Sequence, residues 1–179
     1  MTGKRNVKLR DGTPGYVRPI VPSDAPALVA ALEDLAPESR MRRFLYDKAS
    51  LSERELADLA NPDGTDHIAY GLAVDLEGEF TPIAVGRCFR DPDDPELAEI
   101  ALVTADAWQG KGAGVELMRS LSAAAYEVGI RKWYAPMLSD NTAMRRLLKG
   151  FAEKISERDL GSGIVELVYA IRKPSGFSG

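Results

Sequence analysis

The fold is decided by residues 98–118, which read AEIALVTADAWQGKGAGVELM. This pattern predicts an apolar strand interrupted by one carboxylate, a short turn, a loop with three glycines in five residues, and the start of an apolar-periodic helix. Glycine lets the backbone come close to a ligand, and the helix directs its free N–H groups and the positive end of its dipole at the loop. The stretch therefore predicts an anion site suited to phosphate.

The spacing of the glycines restricts which phosphate site this is. Gly110, Gly112 and Gly114 do not have the spacing of the dinucleotide-binding fingerprint, and no acidic residue follows about 20 positions later in a second strand. The loop does not match a Walker loop either. An ordinary tight turn from strand to helix is the alternative that spacing alone leaves open.

Composition limits the class of protein. Apolar residues make up 45% and charged residues 28% of the 179 positions, which predicts one globular domain over 1–179, ordered from about 7 to 172 and mobile at 1–5 and 174–179. The net charge of −4 argues against nucleic acid as a partner. His67 and Cys88 are single, so we expect no metal and no intrachain disulfide. No apolar run approaches 18 residues, so we expect a cytoplasmic protein without a membrane partner.

The flanking sequence predicts alternating hairpins and helices. The expected elements are two strands around the Asp11-Gly12 turn, a helix with Ser23 as N-cap that ends at Pro37, helices over 38–44 and 52–60, a hairpin of 67–76 with 81–89, a helix over 115–128, a strand over 133–138 with Pro136 at an edge or bulge, a helix capped by Asp140-Asn141, and a hairpin of 154–158 with 163–172. This order predicts an α+β domain. Its sheet is mixed and mostly antiparallel, with one parallel pair joined by the 115–128 helix.

The glycine loop resembles a known cofactor signature. Gln109-x-x-Gly112-x-Gly114, between a strand and a helix, is similar to the acyl-coenzyme A signature of the GNAT N-acetyltransferase superfamily. The resemblance extends over about 7–172 and implies the GNAT acyl-CoA N-acyltransferase fold, with a central parallel strand pair that splays open, and acetyl-CoA as cosubstrate. It implies that the cofactor pyrophosphate is held by Gln109, Gly110, Lys111, Gly112, Ala113 and Gly114, and that the pantetheine arm pairs with the backbone of Leu102, Val103 and Thr104.

Glu99 is the candidate catalytic residue. A carboxylate within an apolar strand needs a partner or a water-filled cleft, unless it lies on an edge strand and faces solvent. Ala98-Glu99-Ile100 ahead of the loop is similar to the segment that carries the general base in GNAT protein lysine acetyltransferases. A lysine ammonium must lose a proton before it can attack, because its reference pKa is about 10.4. The resemblance therefore implies Glu99 as the base and direct transfer without a covalent enzyme intermediate.

The region after the 133–138 strand departs from the family pattern. Asn141 is in the first place a helix cap, and the resemblance implies that it also contacts the cofactor arm. Many family members have a tyrosine seven residues later that protonates the leaving thiolate, where this chain has Leu148. Tyr134 and Ser139 are the alternative proton donors. Cys88 is interpreted as buried and inert, and His67 as a structural residue with a second base as the alternative.

Residues 35–44 resemble the acetyltransferase domain of bacterial protein lysine acetyltransferases. This implies a protein lysine as the acceptor; a small amine (a polyamine, an antibiotic or an amino acid) and a non-catalytic acyl-CoA-binding module remain alternatives. We interpret Arg40, Arg42 and Arg43 as a solvated helix face, with contact to substrate or coenzyme A phosphates as the second interpretation. A monomer and a homodimer are both compatible with the sequence.

Overall fold

Eight strands form one sheet in the computed structural model, which describes residues 3–45, 48 and 50–175. The described elements are β1 (Arg5–Lys8), β2 (Pro14–Pro19), α1 (Ala25–Glu33), α2 (Pro37–Phe44), α3 (Glu53–Ala60), β3 (His67–Leu76), β4 (Glu79–Arg90), β5 (Leu97–Thr104), α4 (Ala113–Glu127), β6 (Lys132–Leu138), α5 (Thr142–Phe151), β7 (Ala152–Gly161) and β8 (Ile164–Ile171). The strand order is β1-β2-β3-β4-β5-β6-β8-β7, and only the β5–β6 pair is parallel. The predicted α+β class and the parallel pair are therefore confirmed.

The centre of the sheet opens where β5 and β6 separate. β5 pairs with β4 from Ala98 to Thr104, but it pairs with β6 only at Leu97, Ala98 and Glu99. Beyond that point β6 continues against β8 alone, and Pro136 lies in this part, where its missing N–H removes no bond to β5. The separation leaves the backbone of the second half of β5 open on one side.

The register of the central strands sorts their side chains onto two faces. One face packs on α4, where the absence of a side chain at Gly86 makes room for Leu121: a Cβ on Gly86 would lie 2.7 Å from the Leu121 Cδ1. Core residues such as Leu117 and Met118 of α4 are fully buried there. The other face carries Glu99 and is covered by the helices between β2 and β3.

Three predicted boundaries were wrong. Ser23 is not an N-cap, because Pro22–Asp24 forms a short 3-10 turn and α1 begins only at Ala25, with a proline in its first turn. Arg5, expected in a mobile end, starts β1 and donates to Glu116 Oε2 at 2.8 Å. The last hairpin is longer than predicted: β7 extends over Ala152–Gly161, and the turn lies at residues 162–163. The predicted tail at 176–179 lies outside the described residues, as do residues 1–2.

Candidate active site and cofactor cavity

A cavity of about 710 Å³ opens at the separation of β5 and β6. Its wall combines the second half of β5, the glycine loop, the start of α4, and parts of α2 and α5. The predicted site residues that line it are Leu102, Val103, Thr104, Gln109, Gly110, Gly112, Ala113, Gly114 and Asn141. The structure thus brings the predicted loop, strand and cap residues together around one space.

The glycine loop is shaped for close approach. Gly110 and Gly112 have φ values of +76° and +96°, in the left-handed region that favours glycine, and Gly112 is the N-cap of α4. A Cβ on Gly112 would lie 3.2 Å from the Arg10 Cγ. The amides of Ala113 and Gly114, the first two of α4, have no backbone acceptor among the described residues. A 15-residue helix therefore presents free N–H groups and its positive dipole end to the cavity.

The exposed side chain of Gln109 forms hydrogen bonds to other residues of the chain. Its Nε2 donates to Asp106 Oδ1 at 2.9 Å and to Ser39 Oγ at 3.2 Å. Asp106 also accepts from the Ser39 hydroxyl at 2.5 Å and from the Ala36 N–H at 2.8 Å, so it caps the N-terminus of α2 from a distant part of the chain. The Gln109 side chain therefore ties the loop to α2, while its backbone lines the cavity.

Lys111 lies outside the cavity lining. Its Nζ is 3.3 Å from Asp11 Oδ2 and 4.3 Å from the centre of the Trp108 ring, and its carbonyl accepts from the Arg10 N–H at 3.0 Å. These contacts fasten the β1–β2 turn to the glycine loop. The Lys111 side chain is engaged by these contacts. That the Lys111 backbone helps to hold the pyrophosphate stays a prediction.

Five arginines give the cavity a positive wall, and the sequence named only the two on α2, as a second interpretation, for contact with substrate or coenzyme A phosphates. They are Arg10, Arg119 and Arg146, together with Arg42 and Arg43 of α2. Arg42 is paired with Glu38 at 3.0 Å and Asp140 at 3.1 Å. The sequence shows only that basic residues occur near the loop and on α2 and α5. It does not show that the β1–β2 turn, which carries Arg10, approaches the loop, because tertiary contacts set that approach.

The interpretation of the α2 arginines as a solvated face was wrong. All three are half-buried because α2 lies against β5 and β6. Arg40 donates to the Leu35 carbonyl at 2.7 Å, and Arg42 and Arg43 line the cavity. The charge pattern of α2 predicts an exposed helix, but the open part of the sheet beneath α2 accommodates its basic side chains.

Glu99 lies on the sheet face that α2 covers. It is half-buried and is opposite Phe89 of β4 and Tyr134 of β6. Burial, and then the nearby carboxylates of Glu99, Asp91 and Glu166, raise the pKa of Tyr134 to about 12. Tyr134 is therefore a neutral hydroxyl at physiological pH, next to several carboxylates.

Arg43 lies within electrostatic reach of Glu99, and Arg87 lies within reach of Arg43. Burial lowers the pKa of the Arg43 guanidinium, and the charge of Glu99 opposes this. Arg87 is 3% exposed and donates to the Leu59 carbonyl at 2.6 Å; burial and the charge of Arg43 lower its pKa to about 10. Arg43 therefore lies within electrostatic reach of both Glu99 and Arg87.

His67 is placed as a structural residue. Its ring stacks on Phe89 with centroids 4.2 Å apart, and its Nε2 is 3.2 Å from Arg87 Nη1. Burial, then the charge of Arg87, lowers the pKa of His67 to about 4, so the ring is neutral at pH 7 and can accept from Arg87.

The start of α5 agrees with its predicted cap. Asn141 Oδ1 accepts from the Met144 N–H at 3.1 Å, while Asn141 also lines the cavity. Leu148, at the position of the family tyrosine, is fully buried in the core, and its neighbour Leu147 faces the cavity instead. Ser139 is exposed after β6, Tyr134 is half-buried beside Glu99, and neither of these alternative donors is among the cavity-lining residues.

The described residues do not favour a cysteine nucleophile or a metal site. Cys88 is 0% exposed, and burial raises the pKa of its thiol to about 12, which confirms a buried cysteine unsuited to nucleophilic attack. Within the described residues, no group of three histidine, cysteine or acidic side chains could hold a metal ion. No described helix is long and apolar enough to cross a membrane.

Comparison with known proteins identifies the family. A family model described as an acetyltransferase (GNAT) domain matches residues 16–151. The chain belongs to the GNAT acetyltransferase family. The acetyltransferase Pat of Mycolicibacterium smegmatis is 31% identical to this GNAT chain over 163 residues, which cover 90% of the chain and 47% of the relative. The GNAT chain thus spans about half the length of that relative.

Solved GNAT structures have the same fold. The GNAT domain of S. lividans PAT is 31% identical, with a TM-score of 0.79 over 94% of this chain and 97% of that one. An acetyltransferase from Salmonella typhimurium, solved with its cofactor acetyl-CoA, is 14% identical and has a TM-score of 0.68 over 92% of this chain and 96% of that one. The predicted GNAT fold is therefore confirmed.

Proposed function

We propose that this GNAT domain transfers the acetyl group of acetyl-CoA directly to the side-chain amine of a protein lysine. The observation that carries the proposal is the position of Glu99, on a central strand beside the opening that exposes Leu102, Val103 and Thr104. The resemblance of residues 35–44 and 98–100 to protein lysine acetyltransferases, and the similarity to Pat, favour a lysine acceptor.

The cavity residues fit acetyl-CoA. A Cβ on Gly112 would crowd Arg10, the first amides of α4 are free donors, and Arg10, Arg119 and Arg146 supply positive charge for phosphates. We infer that residues 109–114 hold the pyrophosphate, that residues 102–104 hold the pantetheine arm, and that Asn141 contacts that arm. Acetyl-CoA supplies an activated acyl thioester, and every other contribution comes from the chain.

Glu99 prepares the acceptor. Its carboxylate takes a proton from the lysine ammonium, directly or through water, so that the amine nitrogen becomes a nucleophile. Asp91 and Glu166 place two further carboxylates near Tyr134, which can interact favourably with an ammonium group. A backbone N–H near Leu102 or Val103 stabilises the developing oxyanion.

The test replaces Glu99 by Gln, which keeps size and polarity and removes the base. We expect kcat/KM at neutral pH to fall by about 10²-fold or more, the usual range for a lost general base, with acetyl-CoA affinity within about twofold of wild type. Glu153→Gln, an exposed change on β7, is the matched control. Unchanged kcat/KM in Glu99→Gln would exclude the base assignment.

The acceptor is tested separately. Purified protein is incubated with acetyl-CoA and a deacetylated bacterial lysate, and new acetyl-lysines are located by mass spectrometry beside a panel of polyamines, aminoglycosides and amino acids. Turnover on protein lysines supports the proposal. Turnover confined to the panel would instead identify a small-amine acetyltransferase, and binding of acetyl-CoA without any turnover would identify an acyl-CoA-binding module.

A further inference from the structure

Two arginines, Arg43 and Arg87, lie close to each other on the sheet face that carries Glu99. At neutral pH, Arg43 and Arg87 are cationic, Glu99 is the carboxylate that acts on Arg43, and His67 is neutral. Arg87 is committed to the Leu59 carbonyl and His67, whereas Arg43 has no ion pair within 4 Å in the part of the chain that the structure describes. The Arg43 guanidinium lies 4.7 Å from the centre of the Phe44 ring, so its described partner is an aromatic face and its charge remains available to an anion in the cavity.

The place of Arg43 indicates which anion this is. Arg43 lines the cavity together with Leu102 and Val103, the part of β5 assigned to the thioester end of the cofactor, and Glu99 lies within its electrostatic reach. Arg42, also on α2, is paired with Glu38 and Asp140. The remaining cavity arginines lie on other walls: Arg10 lies against the glycine loop, Arg119 is on α4, and Arg146 is on α5. Arg43 is therefore a cavity cation that shares a wall with Leu102 and Val103 and lies within electrostatic reach of the base.

The chain also lacks the usual acid for the leaving group. Leu148 occupies the tyrosine position of the family and is fully buried in the core. A thiolate that leaves without receiving a proton needs a positive charge nearby.

We propose that Arg43 is a catalytic residue that stabilises the thiolate of coenzyme A as it leaves. This rests on the proposed acyl transfer at the same site. After Glu99 has taken the ammonium proton, the neutral amine nitrogen forms its bond to the carbonyl carbon, and the extra proton that the bonded nitrogen then carries passes to water. The carbon–sulfur bond breaks and its electron pair stays on sulfur. The Arg43 guanidinium offsets that charge until the thiolate takes a proton from water.

The decisive test titrates the product and needs no acceptor. Coenzyme A is bound to the whole chain, and its thiolate is followed by ultraviolet absorbance as pH rises. A free thiol has a pKa near 8.5, and a neighbouring cation lowers such values by about 1–3 units. We expect the bound thiol of wild type to titrate at least about one unit below free coenzyme A, and Arg43→Met to abolish this shift.

Kinetics give the second readout. In Arg43→Met we expect kcat to fall about 10²-fold, as when one charge-stabilising donor is lost, with the Kd for acetyl-CoA within about threefold. Arg43→Lys keeps a cation and should recover part of the thiol pKa shift and part of kcat. This variant keeps the test valid if Arg43→Met disturbs folding. Arg54→Met, an exposed change on α3, should leave both readouts at the wild-type level.

Three results would overturn the inference. One is a thiol that titrates equally in wild type and Arg43→Met. Another is a loss of acetyl-CoA affinity as large as the loss of kcat/KM, which would make Arg43 a phosphate ligand. The last is a selective loss of succinyl-CoA turnover with acetyl-CoA turnover intact, which would make Arg43 a determinant of the acyl group. Because the titration needs no acceptor, it can succeed even if the lysine assignment fails.

Discussion

Replacing Gly112 by Ala tests the cofactor loop, and Gly129→Ala provides a control at the opposite end of the same helix. Gly112 is the N-cap of α4 with φ +96°, and Gly129 follows α4 with φ +89°. An L-residue in this region costs roughly 1–2 kcal/mol. We therefore expect both variants to lose about 1–2 kcal/mol of unfolding free energy, measured by urea denaturation.

The two positions differ in what the new methyl group meets. A Cβ added to Gly129 would have no heavy atom within 4 Å. A Cβ added to Gly112, which lines the cavity, would lie 3.2 Å from the Arg10 Cγ. Calorimetry with acetyl-CoA should therefore show affinity at least about tenfold weaker for Gly112→Ala, equivalent to about 1.4 kcal/mol, and unchanged for Gly129→Ala. Equal affinities in the two variants would refute the assignment of this loop to the cofactor.

Three further predictions concern single residues. Asp106→Ala removes the carboxylate that accepts hydrogen bonds from Ala36, Ser39 and Gln109. We expect the free energy of unfolding, measured by urea denaturation, to fall by about 1–2 kcal/mol, and kcat to fall because α2 is held less firmly. Asp75→Ala, at a surface turn, is the control. His67 has a folded pKa of about 4, below its ordinary 6.5, so the unfolded state binds more protons between these values. Stability should fall as pH drops through that window, and less steeply in His67→Gln. Cys88 should not react with thiol reagents in the native protein and should react after denaturation, and mass spectrometry of the labelled protein measures the difference.

Elements whose signals are local could be predicted from the sequence. The cap of α3 is a reciprocal pair three residues apart: the Glu55 N–H donates to Ser52 Oγ, and the Ser52 N–H donates to the Glu55 carboxylate. Asn141 caps α5 over the same distance. The loop and its flanking strand and helix likewise lie within one continuous stretch, so periodicity and glycine spacing predict the strand, the loop and the helix, while the resemblance to the GNAT signature assigns them to the cofactor.

Features made by distant segments could not be predicted in this way. Asp106 caps a helix that begins 70 residues earlier, and Arg10 reaches the loop through the pairing of β1 with β2. The charge pattern of α2 indicates exposure, because nothing within eight residues shows that the helix lies over an open part of the sheet. Arg43 was misread for this reason: its burial depends on where β5 and β6 separate.

The same distant contacts explain how binding and chemistry are joined in one small domain. Asp106 lies between the end of β5 and the glycine loop, so it is fixed to the part of the chain that receives the cofactor, and through Ala36 and Ser39 it holds the start of α2. α2 then brings Arg43 to the cavity near Glu99. A displacement of the loop would move the helix that carries the cation. The cofactor loop and the reaction centre are therefore mechanically coupled through one carboxylate, and a loss of Asp106 should impair turnover more than it impairs acetyl-CoA binding.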